Sequence, residues 1–118
     1  MFEYPYKKEY PLHKAIKEKN LTKAKSLINE NLDIDLKDKD GFTPLHYSII
    51  FNLLEITLLL IKNNANINEK DEFGNISLNI AIKYLNYDII ELLFLKSNSL
   101  NSVIYKTILS SIYFIKLR

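Results

Sequence analysis

A spacing of about 33 residues recurs along this 118-residue chain and constrains its fold more than any other feature. The same spacing separates the two glycines, Gly41 and Gly74, and the two histidines, His13 and His46. Apolar positions keep this register without an insertion: Leu12, Leu45 and Leu78, then Leu27, Leu60 and Leu93. A fixed period of this length is typical of solenoids, in which each repeat buries its apolar residues against neighbouring repeats.

The second repeat predicts a tight turn followed by two antiparallel helices. Asp40-Gly41 is typical of a turn in which glycine takes a positive φ. Thr43-Pro44 is typical of a helix N-cap followed by the first helical residue. After a break at Asn52, apolar residues at helical spacing predict a second helix, which we expect to end at Asn63-Asn64 in the left-handed conformation.

The third repeat lacks the favoured helix start. Ile76 and Ser77 stand where Thr43 and Pro44 stand in the second repeat. Because the Ile76 side chain cannot accept a hydrogen bond, we expect Asn75 or Ser77 to cap the helix from a neighbouring position. The third repeat is therefore expected to be looser than the second.

The motifs resemble ankyrin repeats. The best match is Asp40-Gly-Phe-Thr-Pro-Leu-His46, followed by Leu58-Leu-Leu-Ile61 and Asn64-Ala-Asn-Ile-Asn68. The first repeat keeps Pro11-Leu12-His13, the third keeps Gly74, and the resemblance covers most of residues 10–101. It implies a single all-α domain over residues 1–118, an ankyrin-repeat solenoid of antiparallel helix pairs joined by hairpin-like turns. The implied repeats lie at about 5–37, 38–70 and 71–103.

The resemblance also implies a structural role for the histidines. His13 and His46 would hydrogen-bond to the backbone of neighbouring loops and so link repeats, and Asn79 would take this role in part. We therefore interpret neither histidine as a metal ligand or a general base.

The tail after the third repeat is apolar and basic. Residues 102–118 contain Lys106, Lys116 and Arg118 and no acid. Isoleucines at helical spacing predict a helix over about 103–117 that is apolar nearly all round. We interpret it as a C-terminal capping helix; the alternative is that it pairs two copies of the chain.

Composition and motifs argue against several classes of function. Sixteen basic and fourteen acidic residues are too balanced for a nucleic-acid-binding face. The most apolar stretch, 48–61, is too short and too polar to cross a bilayer. The first eight residues do not resemble a signal peptide, and the absence of cysteine is compatible with a reducing compartment. We therefore expect a cytoplasmic protein, or one delivered into a host cell.

No catalytic, metal or cofactor site is predicted. Two glycines that lie a whole repeat apart cannot form a phosphate-binding loop, and no serine lies in a nucleophile elbow. The acidic run beside Gly41 does not fit a calcium loop, because Leu36 would occupy the place of the first carboxylate. This run, which we interpret as solvated turn residues, consists of Asp33, Asp35, Asp38 and Asp40.

The resemblance implies that function lies in surface recognition. Ankyrin repeats usually bind protein partners on a concave face formed by the hairpin tips and the exposed sides of the first helices. The residues predicted to form this concave face are Lys39, Asp40, Phe42, Tyr47, Ile50, Phe51, Glu72, Phe73, Asn75, Lys83 and Tyr84. Its five aromatic rings are predicted to be exposed anchors for a partner. The alternative is that one or two of them pack against the scaffold.

We therefore expect a non-enzymatic module that binds one protein partner and acts by steric occlusion or scaffolding. A bacterial antitoxin or immunity protein, or an adaptor, is the first interpretation of its role. The alternatives are a pathogen or viral effector in a host cell, and an oligomeric structural module paired through the tail.

Overall fold

The computed structural model describes residues 10–30 and 32–97, together with residues 107, 110, 111 and 114. Residues 10–97 form six α-helices and, where described, no β-strand. The helices are α1 (Pro11–Lys17), α2 (Leu21–Ile28), α3 (Pro44–Ile50), α4 (Leu54–Lys62), α5 (Ser77–Lys83) and α6 (Tyr87–Ser97). This architecture confirms the all-α prediction.

The six helices pack as three pairs in two layers. Within each repeat the first helix packs on the second, and α3 contacts both α1 and α5 to form the inner layer. In the outer layer, α4 contacts α2 and α6. The leucines that keep the repeat register are all buried in one continuous core, as a solenoid requires: Leu12, Leu45, Leu78, Leu27, Leu60 and Leu93.

The predicted tail helix over 103–117 lies largely outside the described residues. Of its positions, Thr107, Ser110, Ser111 and Phe114 are described, and all four are helical. Its role as a cap or as a pairing surface therefore stays a prediction. Within the part of the chain that the structure describes, no helix is both long enough and apolar enough to cross a bilayer.

The turn and helix start of the second repeat form as predicted. Gly41 has a φ of +85° and donates its N–H to the Asp38 carbonyl at 3.0 Å. The Thr43 hydroxyl accepts the His46 N–H at 3.2 Å, and Pro44 is the first helical residue. Asn64 takes the left-handed conformation after α4, with a φ of +66°.

The start of α5 differs from expectation, since neither Asn75 nor Ser77 caps it. Asn75 directs its amide to the Asp71 carboxylate at 3.5 Å, and the buried Ser77 hydroxyl has no hydrogen-bond partner among the described residues. The helix start keeps one side-chain contact, in which Asn79 Oδ1 accepts the Ile76 N–H at 3.0 Å. A buried hydroxyl without a partner is destabilising.

A left-handed residue ends the inner helix of every repeat. Lys19, Asn52 and Leu85 have φ values of +57°, +53° and +53° and occupy equivalent positions in the three repeats. Asparagine tolerates this conformation better than leucine, because its short polar side chain can hydrogen-bond to nearby backbone. The third repeat therefore carries a local cost that the second avoids, and Leu85 is also 51% exposed.

Each histidine hydrogen-bonds to loop backbone, as the resemblance implied, but only His13 reaches across a repeat boundary, to Phe42. His46 is fully buried, and its Nδ1 accepts the Thr43 N–H at 3.0 Å. Nε2 therefore carries the ring proton and donates it to the Glu69 carbonyl at 2.9 Å. His13 Nε2 lies 2.8 Å from the Leu36 carbonyl and 3.1 Å from that of Phe42.

The burial of the two histidine rings predicts that acid destabilises the fold. Burial lowers the pKa of both His13 and His46 from the ordinary value of 6.5, against opposing effects of their backbone acceptors and of Asp38 and Asp71. The unfolded chain then binds protons more readily than the folded one. The histidine contribution to stability is therefore complete above pH 6.5 and is lost as the pH falls below that value.

Urea unfolding at pH 7.5 and pH 5.5 checks this prediction. We expect the unfolding midpoint to be lower at pH 5.5. The control is the double variant His13→Asn with His46→Asn, which borrows the residue found at Asn79 and should be less stable but less sensitive to pH. An unchanged pH dependence in that variant would show that other groups cause it.

Candidate functional site

The eleven residues predicted for the concave face differ in exposure. Six are exposed: Lys39, Asp40, Glu72, Phe73, Lys83 and Tyr84. Four are half-buried: Phe42, Ile50, Phe51 and Asn75. Tyr47 is buried. All six exposed members therefore belong to the third repeat or to the hairpin tip of the second.

Tyr47 is not the exposed aromatic that the sequence predicted. Its hydroxyl donates to the Asp38 carboxylate, and its ring stacks on Phe51 with centroids 6.3 Å apart. The His13 ring meets it edge-on at 5.9 Å, and Lys17 Nζ lies 4.6 Å from its centroid. Tyr47 therefore holds the first and second repeats together.

Phe42 and Phe51 also pack against the scaffold. The Phe42 ring lies 5.2 Å from that of Tyr47 and 6.1 Å from that of His46, and both phenylalanines pack on the buried core. Three of the five predicted anchors thus belong wholly or partly to an internal aromatic cluster, one more than the alternative interpretation allowed.

The two hairpin turns are each held by a buried aspartate. Asp38 accepts the N–H groups of Asp40 and Phe42 at 3.0 and 3.1 Å. Asp71, at the equivalent position of the next repeat, accepts those of Phe73 and Asn75 at 2.9 and 2.8 Å. Asp38 is therefore not the solvated turn residue that the sequence predicted: it is buried, and like Asp71 it fixes the backbone of its hairpin tip.

The charge of Asp38 is stabilised within the turn. Burial raises the pKa of this carboxyl, but hydrogen bonds from the Tyr47 hydroxyl and the backbone of Phe42 and Asp40 outweigh it and hold the pKa below its ordinary value. Burial and the adjacent Asp38 raise the pKa of Tyr47. Lys17 Nζ lies 3.8 Å from the carboxylate, so it offsets the buried charge.

Exposed apolar side chains of the inner layer lie instead on the third repeat. Phe73 is 76% exposed at the hairpin tip, and Tyr84 is 46% exposed at the end of α5. Lys83 Nζ lies 5.7 Å from the Tyr84 centroid. Leu85 follows Tyr84 directly, and it was not among the residues predicted for the concave face. The available signal was its register with Asn52, which lies at a left-handed position.

The sequence of this three-repeat fold matches the model of a known protein family. A family model described as "Ankyrin repeats (3 copies)" matches residues 12–104. The chain belongs to the ankyrin repeat family. Ankyrin repeats indicate a protein–protein interaction module, and the family is generally non-enzymatic.

A viral protein shares part of this ankyrin repeat sequence. An ankyrin repeat protein of fowlpox virus (strain NVSL) is 33% identical over 51 residues, which cover 43% of this chain. The aligned segment spans 36% of the viral protein's length, about a third of it.

The ankyrin outer layer also exposes apolar side chains. Leu58 on α4 is 46% exposed and Leu95 on α6 is 70% exposed. Within the ranges that the structure describes, no group of three His, Cys, Asp or Glu side chains could hold a metal ion. Among the described residues, the exposed aromatic side chains of the inner layer are Phe73 at the third-repeat hairpin tip and Tyr84 at the end of α5.

The different settings of two phenylalanines predict different effects on stability. Phe42→Ala should lower the free energy of unfolding by about 2 kcal/mol, because it removes a half-buried ring from the aromatic cluster. Phe73→Ala should change it by no more than about 0.5 kcal/mol, because that ring is mostly in solvent. Urea unfolding measures both, and equal losses would contradict the assignment of Phe73 to the free surface.

Proposed function

We propose that this ankyrin repeat domain is a non-enzymatic binding protein that captures one protein partner on its concave face. The observation that carries the proposal is Phe73, a large apolar side chain 76% exposed at a hairpin tip. Aromatic side chains of this kind commonly dominate the energetics of protein interfaces.

The backbone beneath Phe73 is already ordered for binding. Its N–H donates to Asp71 at 2.9 Å, and Gly74 N–H donates to the Asp71 carbonyl at 3.1 Å. In the folded third repeat, a partner would therefore meet a side chain on a hydrogen-bonded turn.

The end of α5 extends the proposed surface. Tyr84 and Leu85 add apolar area, and Lys83 adds a positive charge beside the Tyr84 ring. A standard interface covers about 800 Å² on each partner. Binding over such an area would block another surface of the partner or hold the partner in place, so the proposed mechanism is steric occlusion or scaffolding.

Two biological roles fit this activity. A bacterial antitoxin, immunity protein or adaptor would use a short array of this kind to cover its target. The partial similarity to a fowlpox virus protein favours the other role, an effector that acts inside a host cell. Both roles place the protein within a cell. Pairing of two copies through the tail is a separate proposal for an oligomeric structural module.

Affinity capture on the immobilised full chain, followed by calorimetry with the purified partner, tests the proposed surface. Phe73→Ala should weaken binding by about 30-fold, the effect of a typical hot-spot residue. Leu58→Ala, which removes an exposed leucine from the outer layer, is the matched control and should bind like the unmodified chain.

The opposite pattern would contradict the proposal. If Leu58→Ala lost the partner while Phe73→Ala kept it, recognition would belong to the outer layer. Circular dichroism of both variants shows whether a loss of binding comes from unfolding.

A further inference from the structure

The third repeat combines three local defects that the second repeat lacks. Its inner helix begins without a side-chain cap at Ile76, whereas Thr43 caps α3. It buries the hydroxyl of Ser77, which has no hydrogen-bond partner in the described part of the chain, where α3 has Pro44. It also ends with a leucine in the left-handed conformation. Relative to the equivalent residue of the second repeat, each feature raises the equilibrium constant for local opening by about tenfold.

Side chains of the first repeat also stabilise the second repeat. His13 reaches the Phe42 carbonyl, and Lys17 approaches both Asp38 and the Tyr47 ring. These contacts join the first repeat to the hairpin and inner helix of the second. Opening the second repeat would therefore break links on its N-terminal side as well as its own capping bonds.

We propose that the third repeat, residues 71–97, opens locally as a unit while the second repeat stays folded, and that a docked partner holds it closed. The second clause rests on the proposed function, because Phe73, Tyr84 and Leu85 all lie on this repeat. Recognition surfaces commonly belong to the less stable part of a protein.

The position of the defects explains how docking would act. Phe73 precedes the start of α5, which lacks a side-chain cap from Ile76, and Tyr84 and Leu85 follow the last residue of that helix. A partner that contacts both ends would therefore stabilise the helix at the two places where it is weakest. Asn86, which donates to the Ile49 carbonyl at 2.7 Å, provides a link back to the second repeat in the closed form.

Amide hydrogen exchange of the free full-length chain tests the opening. Ile49 and Ile82 are the same residue type at equivalent positions of α3 and α5. After correction for intrinsic rates, the Ile82 amide should exchange at least tenfold faster than the Ile49 amide. Equal protection, or slower exchange at Ile82, would overturn the proposal.

Substitutions that copy residues of the second repeat into the third provide a second test of local opening. The double variant Ser77→Pro with Leu85→Asn copies Pro44 and Asn52, and Ile76 already has the extended backbone that a residue before proline requires (φ −88°, ψ 170°). It should slow exchange at Ile82 at least tenfold and leave Ile49 nearly unchanged. An equal slowing at both amides would mean that opening is global and would overturn the proposal. The single variants Ser77→Ala and Leu85→Asn give smaller changes in the same direction and serve if the double variant misfolds.

A reciprocal variant and the addition of the partner distinguish local opening of the third repeat from its closure by docking. Asn52→Leu, which places the defect of the third repeat in the second, should speed exchange at Ile49. Adding the purified partner should slow exchange at Ile82. If the free chain behaves as expected but the partner protects α2, α4 and α6 instead, the opening stands and the proposed binding surface is wrong.

Discussion

The buried ring of His46 is the interaction on which the rest of the structure depends. One imidazole accepts the N–H that begins the inner helix of its own repeat and donates to a backbone carbonyl in the loop that leads to the next. The Thr43 N–H is buried, so it needs a partner in the protein, and the Glu69 carbonyl is partly buried. The ring fixes the start of α3 and the path of the chain into the third hairpin together. It can do so only in the neutral form.

The same need of buried polar groups for partners explains why several residues of the predicted binding face belong to the scaffold. A buried carboxylate at Asp38 holds its own hairpin turn and then requires further partners for its charge. Tyr47 and Lys17 supply them, which draws an aromatic ring of α3 and a lysine of α1 into the junction between repeats. In the third repeat Asp71 holds the equivalent turn, but Ile80 stands in the register of Tyr47. Phe73, at the tip of that turn, stands in the register of the exposed Asp40 and lies on the surface.

Much of this fold follows from the sequence because its determinants are local and periodic. The cap at Thr43, the left-handed Asn64 and the buried leucines each depend on residue type at a fixed place in the repeat unit. The fate of Tyr47 could not be read in that way, since its burial depends on a carboxylate nine residues earlier and on side chains from another repeat. The unpartnered Ser77 hydroxyl likewise depends on packing around α5, and its sequence neighbours do not reveal it. Leu85 is an intermediate case, because alignment of the repeats shows the left-handed position but its exposure requires the structure.

The central claim is that recognition takes place on the inner layer of the third repeat and not on the outer helices. Backbone amide chemical-shift mapping of the isotopically labelled full chain, titrated with its purified partner, tests this claim most directly. The account predicts that the largest changes fall at residues 72–75 and 83–85, with little change along α2 and α4. Changes confined to α2, α4 and α6, with residues 72–75 unaffected, would contradict it.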